Sequence, residues 1–84
     1  MTTFYKDIRF TMPEYNRETN PVTLIYYCVT NYDETIGMVK WDEIWKQYCY
    51  LDKCNGIYTQ GCLADIADFI EQCNKTGQRK KEKK

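Results

Sequence analysis

No histidine occurs among the 84 residues. That absence removes the commonest general base near neutral pH and the commonest nitrogen ligand for a metal. The four glycines are scattered at positions 37, 56, 61 and 77, so no phosphate-cradling run exists. The longest uninterrupted apolar stretch is the six residues 24–29, far short of the roughly 20 needed to span a bilayer. Lys6, Asp7 and Arg9 interrupt the amino terminus before any apolar run develops, which excludes a secretory signal, and neither end carries a lipidation box. These absences set the expectation of a soluble, cytoplasmic protein, in the cytoplasm of a host cell if the source is viral.

Cysteine is the exception to this sparseness, with Cys28, Cys49, Cys54, Cys62 and Cys73. An odd count without an export signal points to free thiols rather than a disulfide framework. No Cys-x-x-Cys pair is present and no histidine completes a ligand set, so neither a metal nor another cofactor is expected. The thiols read as small hydrophobes, and Cys54, in a predicted turn, is the one expected to be reachable. A cysteine nucleophile needs a neighbouring base or cation, and none is evident. The carboxylate pairs Asp33-Glu34 and Asp42-Glu43 are adjacent in sequence and point in different directions on a strand or helix. An enzyme is therefore not expected.

The balance of 12 basic and 12 acidic residues hides an asymmetry. Residues 1–74 hold six basic against eleven acidic side chains, a balance of −5, and residues 75–84 hold six against one, a balance of +5. The chain thus divides into one small domain, 1–74, and a basic tail, 75–84, expected to be disordered. At this length only about 60% of the unfolded surface is buried, so the core is thin.

Residues 4–12 alternate apolar and polar, residues 22–32 are rich in β-branched and aromatic types, and 35–40 form a third short run weakened by Gly37. Residues 13–21, bounded by Pro13 and Pro21, read as a loop. Over 41–52, Trp41, Ile44, Trp45, Tyr48, Cys49 and Leu51 fall within an arc of about 160° at helical spacing. Cys62, Leu63, Ile66, Ala67, Phe69, Ile70 and Cys73 do the same over 60–74, with Thr59 as N-cap and Tyr58 and Leu63 spaced for a staple. The expected fold class is α+β: a small antiparallel sheet of two to three strands packed by two helices.

Three features point to a partner. Thirteen aromatic residues are more than so small a core can hide. Trp41, Trp45 and Tyr48 lie in the apolar arc and read as core, whereas Tyr50 falls on the polar side of its helix and Tyr15 in a polar loop, the exposed type favoured at interfaces. Asp65, Asp68 and Glu71 line the polar side of the second helix and suit a basic surface on a partner. Lys75, Arg79, Lys80, Lys81, Lys83 and Lys84 suit a phosphate backbone. Tyr5, Arg9 and Thr11 share a predicted strand face, the nearest approach to a sheet-surface RNA reader, without the aromatic signature of that class.

The leading reading is a non-enzymatic interaction protein that regulates or inhibits a host protein. The alternative is an RNA- or DNA-binding protein that uses the basic tail. Short, tyrosine- and cysteine-rich and without a catalytic constellation, the chain is similar in texture to the small accessory proteins of bacteriophages, with no motif behind that likeness.

Overall fold

The fold is that of a computed structural model describing residues 2–53 and 55–77. Its elements are β1 (Ile8–Phe10), β2 (Glu14–Asn16), β3 (Thr23–Thr30), β4 (Thr35–Asp42), β5 (Gln47–Asp52) and α1 (Gln60–Gly77). The five strands form one antiparallel sheet in the order β1-β3-β4-β5, and β2 lies beside β1 along the same edge of β3. α1, the one helix among the described residues, covers one face and runs antiparallel to β5, with Asn74 near its carboxy end bonded to Gln47 and Tyr48 at the start of that strand.

This overturns the expectation of two helices on a sheet of two or three strands: the domain is mostly β, with one helix. Residues 41–52 are the end of β4, a turn and β5. An apolar run dense in Trp, Tyr and Cys satisfies helical and extended spacing alike, and here pairing decides. Six register pairs, from Gly37↔Asp52 to Asp42↔Gln47, join β4 to β5, whereas an isolated helix of about 12 residues is marginal. The turn is written in Asp42. Its carboxylate accepts from the Ile44 N–H (3.0 Å) and the Trp45 N–H (2.8 Å), and its carbonyl accepts from the Lys46 N–H (2.8 Å). Lys46 then takes a left-handed φ of 57° that lets β5 turn back.

The other strands follow the expected runs with shifted bounds. β1 keeps only three residues of 4–12, and the 13–21 loop contains β2, whose Tyr15 pairs with Leu24. β4 continues past position 40 to Asp42. A bulge sets Cys28 opposite Gly37 and Val29 opposite Thr35, and the extra residue, Ile36, joins the packing beneath the helix.

The core lies between sheet and helix. Ile8, Phe10, Tyr26, Cys28, Val39 and Tyr48 come from the strands, and Ile66, Phe69 and Cys73 from α1. The Phe69 ring stacks on Phe10 at 3.9 Å and meets Tyr26 edge-on at 5.0 Å. Thr59 caps α1 as its position suggests, its Oγ1 accepting from the Cys62 N–H (3.1 Å) and its carbonyl from the Leu63 N–H (3.0 Å). The staple does not form: Tyr58 turns to Tyr50 and Asp52, and Leu63 is 54% exposed. The apolar stripe of α1 is accordingly narrower than the periodicity suggests. Residues 78–84, with Arg79, Lys80, Lys81, Lys83 and Lys84, and also Cys54, lie outside the described residues.

Candidate interaction surfaces

The β4–β5 turn presents two large apolar side chains to water. Ile44 is 86% and Trp45 70% exposed, reversing their expected place in the core. A buried aliphatic side chain is worth roughly 1.5–3 kcal/mol, so Ile44 leaves about that much unused. The turn is held from below. Trp41 and Tyr48 meet edge-on at 5.6 Å across the ladder. The Tyr48 N–H, on the outer edge of the sheet, donates to Asn74 Oδ1 of α1 (2.7 Å), and the Tyr48 hydroxyl accepts from the Leu24 N–H of β3 (3.4 Å). Ile44 and Trp45 therefore stand on a base tied to both layers.

At the other end of β4 lies a cleft of about 460 Å³. Ile8, Ile36 and Cys62 supply apolar lining, Tyr32 and Ile57 form its lips at 92% and 100% exposure, and Asp7 and Glu34 add two carboxylates. The 30–34 turn is tightened by Thr30, whose Oγ1 accepts from the Tyr32 and Glu34 N–H groups at 3.2 Å. Asp33 sits at a φ of 65° and forms an ion pair with Arg9 at 2.7 Å. Asn31 donates to the Lys6 carbonyl at 3.0 Å, joining the turn to the segment that carries Asp7.

Behind the cleft, Tyr58 donates to the Asp52 carboxylate, so the Tyr50 hydroxyl, 2.6 Å from that of Tyr58, is the donor between the two rings. Burial, and then the bond to Asp52, push the Tyr58 hydroxyl up to about 12, and burial pushes Tyr50 higher still. Both stay protonated near neutrality. They act as pegs that hold the segment bearing Ile57.

Tyr50 lies on the helix-facing side of β5, half-buried against Gly37, and does not project from a helix as the spacing implied. Tyr15 is exposed on β2, with the Arg17 guanidinium 5.6 Å from its ring centre. On α1, Asp68 accepts from Tyr5 (2.8 Å) and Gln72 (2.9 Å), Glu71 pairs with Lys75 (3.2 Å), and Asp65 is half-buried. Tyr15 and Tyr50 occupy strands on opposite edges of the sheet, so these residues do not converge on one patch. Tyr5 and Arg9 also part company, the first to Asp68 and the second to Asp33. Ile44, Trp45, Tyr32 and Ile57 are exposed apolar side chains that the periodicity did not place on the surface. Each sits in or beside a turn signal: Asp42, Asn31 and Asn55-Gly56.

The chain matches no family model, no curated protein sequence and no solved structure. Burial raises the Cys28 thiol to about 11 and the Cys73 thiol to about 12, and raises Cys49 as well, which disfavours the nucleophilic thiolate at each. Among the described residues no group of three or more His, Cys, Asp or Glu side chains is placed to hold a metal, and no helix is long and apolar enough to cross a membrane.

Proposed function

We propose that this chain is a non-enzymatic binding protein that regulates or inhibits a protein partner by seating the Ile44–Trp45 turn in a recess of that partner. The observation that carries this reading is a tryptophan and an isoleucine exposed together on a turn locked by the Asp42 carboxylate. Trp is among the residues that dominate binding energy at protein interfaces, and a turn already fixed in shape loses little entropy on docking. The fixed base at Tyr48 supports the same reading, because it transmits the rigidity of the sheet to the turn.

Affinity capture from the cells that make the protein, with the native chain and Trp45→Ala as paired baits, tests it. A truncated hot-spot residue costs about 2 kcal/mol or more, so the variant should retain the partner at least tenfold less well. Its thermal midpoint should stay within about 2 °C of the native value, since the side chain packs little. Equal recovery by both baits refutes the proposal. So does a partner released by nuclease and indifferent to Trp45, which would turn the reading to nucleic acid.

A further inference from the structure

The cleft at the far end of β4 has a chemistry of its own. Its interior is apolar, through Ile8, Ile36 and Cys62, and among the described residues its charged lining consists of Asp7 and Glu34, with no Lys or Arg. Neither carboxylate has an ion-pair partner among the described residues, while Arg9, the nearest guanidinium along β1, is taken by Asp33. The volume, about 460 Å³, falls within the range of about 300–1,000 Å³ typical of binding sites. An exposed tyrosine ring, Tyr32, stands at the mouth. The 1–74 portion of the chain carries a balance of −5, the sign that suits a cationic ligand.

We propose that this cleft binds an extended segment of a partner protein in which an arginine or lysine adjoins an aliphatic residue. The aliphatic side chain enters the Ile8–Ile36–Cys62 interior. The cationic head lies between the Asp7 and Glu34 carboxylates, where a guanidinium can bond in bidentate fashion and face the Tyr32 ring. A neutral or acidic segment would leave the two carboxylates facing apolar or like-charged groups. The site is independent of the hairpin turn: β4 separates them by eight residues, about 26 Å.

The test is an amide-resolved NMR titration of the full-length protein with the capped peptide acetyl-Ala-Leu-Arg-Ala-amide. Its glutamate counterpart acetyl-Ala-Leu-Glu-Ala-amide and free spermidine serve as comparison probes. The expected result is saturable shifts at Tyr32, Glu34, Ile57 and Cys62 with the arginine peptide, at least fivefold weaker with either comparison. The Asp7→Asn/Glu34→Gln variant should weaken the arginine peptide at least fivefold while its spectrum remains that of a folded chain, because both side chains are exposed and neither has an ion-pair partner among the described residues. Trp45→Ala should leave the titration unchanged, so failure here and failure of the hairpin reading are told apart. Absent or non-saturable shifts, an equal response to the glutamate peptide, an equal response to spermidine, or an unaffected amide variant would each overturn the proposal.

Discussion

Gly37→Ala tests how β4, β5 and the segment behind the cleft hold one another. A Cβ built on Gly37 overlaps the Tyr50 hydroxyl and ring Cζ and lies 2.7 Å from the Leu51 carbonyl oxygen. The ring cannot simply swing away, because its hydroxyl is bonded to Tyr58, and the carbonyl belongs to the paired strand. Overpacking of this kind costs about 1–3 kcal/mol. Displacing Tyr50 forfeits a hydrogen bond worth about 0.5–1.5 kcal/mol. Relief of glycine's backbone entropy returns about 0.5–1 kcal/mol. The net loss is about 2 kcal/mol, a large part of the roughly 4–13 kcal/mol that a domain of this length holds. Urea unfolding followed by circular dichroism measures it. With a slope near 1 kcal/mol per molar, the midpoint should fall by about 2 M. Added to Tyr50→Ala, the same substitution should cost at least 1 kcal/mol less, because the overlap with the ring has gone and only the contact with the Leu51 carbonyl remains. A Gly37→Ala protein within about 0.5 kcal/mol of the native one, or full additivity with Tyr50→Ala, refutes the reasoning.

Two further outcomes follow from the same geometry. Asp42→Ala removes the acceptor shared by the Ile44 and Trp45 N–H groups. It should cost about 1 kcal/mol, a fall of about 4–8 °C in thermal midpoint for a domain of this size; an unchanged melt would mean that Asp42 does not hold the turn. Stability should also fall in alkali, because burial lifts the Cys28 and Cys73 thiols from 9.0 to about 11 and about 12. The unfolded chain releases those protons near pH 9 and the folded chain does not. The contribution is therefore complete below about pH 9 and is lost as pH climbs towards 11–12. Unfolding free energies measured from pH 7 to 10.5 should decline above 9, and less steeply in Cys28→Ala and Cys73→Ala; identical slopes in all three proteins would contradict this.

The helix and the central strand were legible in the sequence because each obeys one period. Cys62, Ile66, Phe69, Ile70 and Cys73 recur at helical spacing behind the cap at Thr59, and residues 23–30 are β-branched or aromatic almost throughout. Residues 41–52 were not legible, because apolar side chains fill both periods and the choice belongs to a non-local fact, the ladder with β4. β2 is a case of the opposite kind. Glu14, Tyr15 and Asn16 have no strand signal of their own and are extended because β3 offers Thr23, Leu24 and Ile25 as partners. Gly37 looked like a weakness in its strand, and its reason, room for the Tyr50 ring, lies 13 positions away along the chain.

One error of period exchanged the places of Trp45 and Tyr50 and left Tyr15, Asp65, Asp68 and Glu71 untouched. On a helix over 41–52, Trp45 faces the core and Tyr50 faces water; on a hairpin, the two exchange places. The exchange also sharpens the functional argument. The turn is closed by Asp42, whose side chain and carbonyl bond only to backbone N–H groups, at Ile44, Trp45 and Lys46. Nothing in that closure calls on the side chains of residues 44 and 45, and polar residues there would serve the fold equally while lowering the risk of association. Isoleucine and tryptophan at these positions thus add nothing to the closing of the turn and expose apolar surface. That exposure is the feature on which the proposed docking of the turn rests.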